Sequence, residues 1–337
     1  MINIGVIGLG YWGPNLVRVF NEHAGSRVTA VADFRADRCD RLRVRYPTIH
    51  SFATADELIG SDVQAVVIAT PLAHHFPIAL RALQAGKHVL IEKPFTSTAA
   101  EAQILIDEAA KRKLTLLVDH TFVYNPAVSK LRDLITSGEL GELLYFDSQR
   151  INLGLFQSDS DVVWDLAVHD LAILHHLTGD IPVSVAAVGA VHLEGHPVNT
   201  AFITMQYARR FIAHVNVNWL SPVKVRQLIV GGSKRMVIYD DLGPGNKIRV
   251  YDCGAEGLAA DDPDYRRRVD YRFGDMWAPH VDPAEPLGRL ATHFVACIEK
   301  RAEPLSGGDA GLHVVRLLEA AKASIEKSGT PVPFATE

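Results

Sequence analysis

The first 120 residues alternate short apolar runs with segments of helical periodicity. Five apolar runs are predicted to be buried strands, and they are Ile2–Ile7, Val28–Ala32, Val63–Ala69, His88–Ile91 and Leu114–Val118. Helical patterns lie between them, among them Pro14–Phe20, Pro77–Ala85 and a segment that begins with the capping box Thr98–Glu101 and ends near Lys113. Strands that alternate with helices predict a doubly wound parallel sheet in this part of the chain.

After residue 120 the pattern changes to a succession of strand-like segments. They are Leu143–Gln149, Val183–Val191, Ala201–Tyr207, Ile212–Asn218, Val225–Val230 and Arg235–Tyr239. Helical pattern occurs at Pro126–Ser137, Asp165–Leu177, Leu287–Lys300 and Gly311–Ser328, and residues 252–286 are predicted to form a long loop because Asp, Pro and Gly are frequent there. Strands in succession predict a large open, mostly antiparallel sheet with helices on one face. We therefore expect an α/β domain at 1–120 and an α+β domain at 121–337, with C-terminal helices able to pack back on the first domain.

The composition argues against several classes of function. The chain has 337 residues, a length typical of two domains, and its net charge of −5 implies no basic surface for nucleic acid. No apolar run reaches the roughly 20 residues of a membrane-spanning helix, and the first predicted strand begins too early to leave room for a signal peptide. Cys39, Cys253 and Cys297 are far apart and odd in number, which favours a reducing compartment and neither disulfides nor a zinc site. We expect a cytoplasmic protein with no nucleic-acid or membrane partner and no bound metal.

The motif Gly8-Leu9-Gly10-Tyr11-Trp12-Gly13 joins the first predicted strand to the first predicted helix. In this position Gly8 permits a tight turn, Gly10 lets the backbone approach a pyrophosphate, and Gly13 lets the helix pack closely on the strand. The phosphates of a dinucleotide would then lie at the helix N-terminus, where the N–H groups favour anions. The motif alone is weak evidence, because a glycine-rich turn without function is the alternative.

Asp33 ends the second predicted strand and lies 20 residues after Gly13, where a dinucleotide site has an acid for the ribose hydroxyls. The strands, the glycines, the helix and this acid together predict a Rossmann domain with a dinucleotide site. The carboxylate would repel a 2′-phosphate, so NAD is expected rather than NADP. Arg35 and Arg38 could pair with a phosphate or stack on adenine, and solvated surface arginines are an equally good interpretation.

Two further groups of residues could carry chemistry. Glu92-Lys93-Pro94 follows a predicted strand, and ligands of doubly wound sheets bind beyond the carboxyl ends of strands, so Lys93 is expected at the cofactor crevice unless it is a surface lysine. Asp165 and His169 lie four residues apart on a predicted helix and share one face. The histidine can carry a proton, and the carboxylate can hold the imidazole or bind substrate; an ordinary surface pair is the alternative.

These three motifs, Gly8–Gly13, Glu92-Lys93-Pro94 and Asp165-Leu166-Ala167-Val168-His169, together resemble the signature motifs of the Gfo/Idh/MocA oxidoreductases. The resemblance covers essentially the whole chain, and it implies NAD(P)-dependent interconversion of a sugar or cyclitol hydroxyl and a ketone. It also implies that Lys93 contacts the reacting oxygen, that His169 is the acid/base, and that Asp165 binds substrate. The second domain of the family is an open sheet used in oligomerisation, which implies a homodimer or homotetramer; the helices cover only one face of such a sheet, and the other would be a large exposed apolar patch.

The residues expected at the cofactor follow the N-terminal strands and are Gly8, Gly10, Tyr11, Trp12, Gly13, Asp33, Arg35, Thr70, Pro71, His75, Glu92 and Lys93. The residues expected at the substrate are Asn125, Gln149, Arg150, Asn152, Trp164, Asp165 and His169. Arg150 and Gln149, just before the predicted catalytic helix, could receive a phosphate or a uracil, or they could belong to a structural strand end.

Trp164–Asp170 and Asn218–Pro222 resemble the branch of the family that acts on nucleotide-linked sugars. This resemblance implies a nucleotide-linked amino sugar oxidised at the C3 hydroxyl. Val162-Val163-Trp164 departs from the glycine run that many relatives have before the helix, which leaves the shape of the sugar pocket open. A cyclitol or free-sugar dehydrogenase is the alternative, and an NAD-binding sensor without turnover is a second one, against which the intact Lys93, Asp165 and His169 argue.

Overall fold

The chain forms two compact units in the computed structural model, which describes residues 1–154, 156, 160–257 and 269–334. The first unit comprises Met1–Asn125 and Ala284–Glu319, and the second comprises Pro126–Pro283 and Ala320–Glu337. Each unit is therefore built from two separate stretches of the chain.

The first unit contains a six-stranded parallel sheet. Its strands are β1 (Ile2–Ile7), β2 (Ser26–Ala32), β3 (His50–Phe52), β4 (Ala65–Ile68), β5 (His88–Glu92) and β6 (Leu116–Asp119), in the order β3-β2-β1-β4-β5-β6. Neighbouring strands are parallel throughout, and the central β4 is fully buried, as expected for a sheet covered on both faces. The strand order reverses between β1 and β4, so their carboxyl ends flank the crevice in which such sheets bind ligands. The predicted doubly wound sheet is confirmed.

Five helices connect these strands: α1 (Gly13–Glu22), α2 (Ala36–Arg45), α3 (Ala55–Ile59), α4 (His75–Gln84) and α5 (Ala99–Arg112). The predicted capping box at the start of α5 is present, because Thr98 Oγ1 accepts a hydrogen bond from the Glu101 amide and the Glu101 carboxylate accepts one from the Thr98 amide. The short elements β3 and α3 were not predicted, since three and five residues are too few to show a period.

The second unit contains a nine-stranded sheet. Its strands are β7 (Leu143–Leu153), β8 (Ser184–Ala190), β9 (Thr200–Gln206), β10 (Ile212–Asn218), β11 (Leu220–Gly232), β12 (Met236–Asp240), β13 (Ile248–Gly257), β14 (Val269–Trp277) and β15 (Val332–Pro333). They lie in the order β14-β13-β12-β11-β7-β10-β9-β8-β15. β7 and β10 are parallel, and the other neighbouring strands are antiparallel. The prediction of a mostly antiparallel sheet is confirmed.

The predicted long loop over residues 252–286 is wrong for much of its described part. Residues up to Gly257 continue β13, and Val269–Trp277 forms the edge strand β14, which pairs with β13 in antiparallel register. Asp and Gly are depleted in strands, so their frequency here suggested a loop. The alternation of Tyr271 and Phe273 with polar residues is the period-two signal that the composition obscured.

Four further helices complete the described chain: α6 (Pro126–Thr136), α7 (Val168–Thr178), α8 (Pro286–Ile298) and α9 (Gly308–Glu326). A π-helical segment, Val163–Ala167, leads directly into α7. α8 belongs to the first unit, and α9 begins in the first unit and ends in the second. None of the helices in the described ranges is long and apolar enough to span a bilayer.

Candidate active site

The glycine-rich loop lies between β1 and α1, at the point where the sheet order reverses. Gly8 has φ +93°, and a Cβ there would lie 2.4 Å from the Ala69 carbonyl oxygen, so only glycine fits between the loop and the end of β4. A Cβ on Gly13 would lie 2.2 Å from the Gly8 carbonyl oxygen, whereas one on Gly10 would meet no described atom within 4 Å. The loop is therefore closed toward the sheet and open at Gly10, which is the shape that a pyrophosphate needs.

Asp33 holds this loop in place. It follows β2, it is buried, and its Oδ2 accepts a hydrogen bond of 2.7 Å from the Leu9 amide. Its Oδ1 accepts a hydrogen bond of 2.9 Å from the Arg35 amide, and the Arg38 guanidinium lies 3.1 Å from Oδ2. The acid predicted for the ribose hydroxyls thus lies against the glycine loop, and these residues together fit an NAD molecule.

Three predicted cofactor residues lie at the rim of this loop. Tyr11 and Trp12 are exposed and their rings meet edge to face. The Arg35 guanidinium is half exposed and pairs with Asp37 at 3.1 Å. Each of the three side chains is accessible to a ligand bound at the loop.

Thr70, Pro71 and His75 follow β4 on the other side of the crevice. Thr70 Oγ1 is buried without a hydrogen-bond partner among the described residues, so a polar group remains to be satisfied at this edge of the sheet. The two ring nitrogens of buried His75 lie 2.8 Å from the Pro94 carbonyl oxygen and 2.9 Å from the Thr70 carbonyl oxygen. Burial lowers the pKa of His75, which favours the neutral ring. His75 therefore links the loop after β4 to the loop after β5, with both nitrogens directed at the backbone.

Glu92 and Lys93 stand at the carboxyl end of β5. Lys93 is half-buried, Glu92 is buried, and the Lys93 amide donates a hydrogen bond of 3.2 Å to Glu92 Oε2. Asp119, at the end of β6, is the register partner of Glu92 and was not predicted. The sequence did contain a signal for Asp119. An acid follows each of the predicted strands His88–Ile91 and Leu114–Val118, and the carboxyl ends of parallel strands lie at the same edge of a sheet. Asn125 is buried after the short 3₁₀ turn that follows β6.

In the second unit Asp165 and His169 are carried by the π-helical segment and the first turn of α7. Both side chains are half-buried, and Trp164 is buried. Asp161 precedes the segment, and its Oδ1 accepts hydrogen bonds from the Val163 and Trp164 amides at 2.9 and 3.0 Å. The side chain thus supplies the acceptor that the free N–H groups at a helix start require. π-helical turns occur frequently at functional sites.

Trp219 forms a hydrogen bond with Asp165, the carboxylate that is predicted to bind substrate. It lies between β10 and β11, it is 1% exposed, and its Nε1 donates a hydrogen bond of 3.2 Å to Asp165 Oδ2. The Trp219 amide also donates a hydrogen bond to the Asn199 carbonyl oxygen, and the Trp219 carbonyl oxygen accepts one from the Gly154 amide. The backbone that carries the indole is therefore held by two neighbouring segments. The donor is 54 residues away from Asp165 in sequence, which spacing along the chain could not indicate.

The structure gives Arg150 a partner that the sequence did not suggest. Arg150 lies on β7 with its side chain 5% exposed, and its Nε and Nη2 donate to the two carboxylate oxygens of Asp170 at 2.8 and 2.9 Å. This forked ion pair joins β7 to α7, one residue after His169. A buried guanidinium engaged in this way does not favour the predicted contact of Arg150 with a phosphate or a uracil.

Gln149 and Asn152 lie on opposite faces of β7, because successive strand residues alternate. Gln149 is exposed on the face away from Arg150 and thus away from α7, whereas Asn152 shares the face of Arg150 and is half-buried. Asn152 is therefore on the same side of the sheet as the helix that carries His169, and Gln149 is not.

Comparison with known protein families covers both units. A family model described as an oxidoreductase family with an NAD-binding Rossmann fold matches residues 2–120, and a model described as the C-terminal alpha/beta domain of an oxidoreductase family matches residues 132–334. These matches agree with the parallel sheet, the glycine loop and the acid after β2, and the predicted NAD cofactor is confirmed.

Similar individual proteins include sugar and cyclitol dehydrogenases. UDP-N-acetylglucosamine 3-dehydrogenase of Acidithiobacillus ferrooxidans is 32% identical over 292 residues, which are 86% of this chain and 88% of that protein. Inositol 2-dehydrogenase of Corynebacterium glutamicum is 30% identical over 189 residues, 55% of this chain and 56% of that protein. A solved structure of the Acidithiobacillus enzyme aligns with TM-score 0.80 and 26% identity over 97% of this chain and 98% of that chain. The WlbA dehydrogenase of Bordetella pertussis, solved with NADH and UDP-GlcNAcA, shares the fold with TM-score 0.81 at 18% identity over 100% of this chain and 99% of that chain.

Proposed function

The chain belongs to the Gfo/Idh/MocA oxidoreductase family, and from this premise we propose that it oxidises a nucleotide-linked amino sugar at the C3 hydroxyl. It is an NAD-binding oxidoreductase of the sugar-dehydrogenase type, and its relatives act on CH–OH groups of sugars. The observation that carries the proposal is the similarity to the Acidithiobacillus UDP-N-acetylglucosamine 3-dehydrogenase, which extends over 86% of the chain and thus through both units.

NAD, when bound at the glycine loop, supplies the acceptor for the hydride that leaves the C3 carbon. Lys93 holds the reacting oxygen, and its ammonium stabilises the negative charge that develops there. His169 accepts the hydroxyl proton, and the alcohol thereby becomes a ketone. Asp165 binds a neighbouring group of the sugar, and the Trp219 indole orients this carboxylate through its N–H. Trp164, Asn152 and Asn125 complete the proposed set of substrate residues.

The substrate assay uses NADH fluorescence with NAD⁺ and one candidate sugar at a time. UDP-N-acetylglucosamine is expected to be turned over, while free N-acetylglucosamine, glucose and myo-inositol are expected to be poor substrates, because binding of the remote nucleotide orients the sugar. Turnover of myo-inositol with UDP-sugars inert would instead support a cyclitol dehydrogenase, which the similarity to inositol 2-dehydrogenase favours. Binding of NAD with no turnover of any sugar would support the alternative that the protein is an NAD-binding sensor.

The catalytic roles are tested with Lys93→Met and His169→Ala. Each variant should lower kcat by about 10²–10⁴-fold, the usual contribution of a positioned acid/base, and NAD should bind with unchanged Kd. His280→Ala is a matched control, since this histidine is exposed. Near-normal turnover in both variants would refute the assignment.

We also propose that the nine-stranded sheet mediates a homodimer or homotetramer. Large apolar side chains stand exposed on its strands, among them Phe202, Ile212, Tyr271 and Phe273. A second copy of the chain would remove this surface from water. Light scattering at micromolar concentration should show an oligomer, and a monomer would contradict the proposal.

A further inference from the structure

Two buried carboxyl groups lie side by side next to Lys93. Glu92 ends β5 and Asp119 ends β6, and the two residues are direct register partners in the parallel sheet. Glu92 is 8% exposed and Asp119 is 2% exposed. Thr121 Oγ1 donates a hydrogen bond to Asp119 Oδ1, and the Lys93 amide donates one to Glu92 Oε2. Both acids are therefore fixed by neighbours on the first unit.

Two adjacent buried carboxylates cannot both carry a full charge at low cost. Glu92 Oε1 is buried without a hydrogen-bond partner among the described residues, and the register of β5 and β6 places Asp119, a second buried acid, directly beside Glu92. One proton on either group removes the repulsion between them. Burial raises the pKa of both groups, that of Glu92 further because Asp119 repels its charge, while the Lys93 ammonium acts in the opposite direction.

Among the described residues, the Lys93 ammonium acts on both carboxyl groups. Tyr124 lies in the turn after β6 and interacts with the Asp119 charge. Burial raises the pKa of its phenol, which is therefore neutral, and its hydroxyl group forms a hydrogen bond with Ser306. His120 follows Asp119 directly and is buried.

Three titratable groups of the described residues lie one step further out, among them His293, whose ring centroid is 5.4 Å from that of Tyr124 and whose pKa is lowered by burial. Cys297 of α8 lies beside Tyr124, and burial raises the pKa of its thiol to about 11, so it is uncharged at neutral pH. His75 bonds to the Pro94 carbonyl next to Lys93, and burial lowers the pKa of its ring. In the part of the chain that the structure describes, the Lys93 ammonium thus stands next to two acids.

We propose that Glu92 and Asp119 hold a single proton between them, and that the one remaining negative charge is the counterion that positions Lys93. The inference rests on the proposed role of Lys93 in holding the reacting oxygen. Both acids act through Lys93 and are positioning residues, which gives Glu92 a different role from the predicted contact with the cofactor. A neutral pair would leave Lys93 without this anchor, and a doubly charged pair would be costly to bury.

The shared proton is tested without any substrate. Infrared difference spectra at neutral pH should show the carbonyl stretch of a protonated carboxyl group in the wild type and its loss in Glu92→Gln. Asp62→Asn, which changes an exposed acid of the same unit, should retain the band. Absence of the band from the wild type would overturn the proposal.

The positioning role is tested by counting charges. Glu92→Gln and Asp119→Asn each leave one carboxylate and one hydrogen-bonding amide, so each should lower kcat by much less than the double variant does. The double variant Glu92→Gln/Asp119→Asn has no carboxylate at this place and should lower kcat by about 10²-fold, the scale of a misplaced catalytic group, with an unchanged Kd for NAD. Equal losses in one single variant and in the double variant would overturn the role.

A third measurement separates this inference from the proposed function. The rate at which acetic anhydride modifies Lys93, followed by mass spectrometry, should rise in the double variant and stay near the wild-type rate in both single variants. If no sugar is turned over but the infrared band and this pattern appear, the proposed substrate fails and the positioning pair stands. If turnover is observed and Lys93 reacts equally in all four proteins, the positioning pair fails and the enzyme activity stands.

Discussion

Each unit contains a buried pair of ionisable side chains, one of which is adjacent in sequence to a predicted catalytic residue. The pair consists of two acids in the first unit and of an acid and an arginine in the second. In the first unit Glu92, next to Lys93, lies beside a second acid, Asp119. In the second unit Asp170, next to His169, meets the oppositely charged Arg150. A like pair is stable only with a proton, so its energy depends on pH, whereas an ion pair is stable without one and fails when a partner is removed. The stability of the acid pair in the first unit should therefore depend on pH, and that of the ion pair in the second unit on the presence of both partners.

Breaking the ion pair should have the largest effect. Arg150→Ala leaves the Asp170 charge buried without its forked partner, and we expect the free energy of unfolding to fall by about 3–5 kcal/mol. Urea denaturation measures this loss, with Arg210→Ala as a control at an exposed arginine.

A double variant sharpens the same prediction. Arg150→Met/Asp170→Leu should recover much of the lost stability, since a well-packed apolar pair can replace a buried ion pair. If Arg150→Ala retained wild-type stability and raised only KM for UDP-N-acetylglucosamine, Arg150 would be a substrate ligand as the sequence suggested.

The like pair should respond to pH in the opposite sense from a salt bridge. The pKa of Glu92 is higher in the folded than in the unfolded state, so the folded state binds the proton more tightly and the free energy of unfolding falls as pH rises above the unfolded pKa of about 4.3. Glu92→Gln has no titratable group at this position. Its free energy of unfolding should therefore rise relative to that of the wild type as pH increases from about 4.3 toward the raised pKa of the folded state, by about 1.4 kcal/mol for each unit of the pKa difference. Urea titrations at three pH values measure the difference, and a constant offset would contradict the shared proton.

The smallest effect is expected for Trp219→Phe. This change removes the N–H that bonds Asp165 and keeps most of the buried ring, so the free energy of unfolding should fall by about 1 kcal/mol. kcat/KM should fall by about tenfold if the bond orients Asp165 for the substrate, since 1.4 kcal/mol corresponds to a factor of ten. Trp277→Phe, at the edge strand β14, is the matched control. Unchanged kinetics in Trp219→Phe would mean that the bond serves packing alone.

Features that depend on neighbours along the chain could be predicted from the residues alone. The glycine loop, the acid after β2, the capping box at Thr98 and the lysine after β5 are local signals, because a turn, a cap or a strand end is decided within a few residues. Parallel strands covered on both faces also form continuous apolar runs, so the first unit was easier to predict than the second. The edge strand β14 was missed because its composition resembles that of a loop.

The pairing of side chains that are distant in sequence depends on how the strands and helices pack. The register of β5 and β6 places Glu92 beside Asp119. The packing of α7 on β7 brings Asp170 to Arg150. Trp219, which directly follows β10, donates a hydrogen bond to Asp165. A buried charge or N–H group must find a partner wherever the fold places one. The residue type therefore indicates that a partner is needed, and the fold alone determines which residue it is.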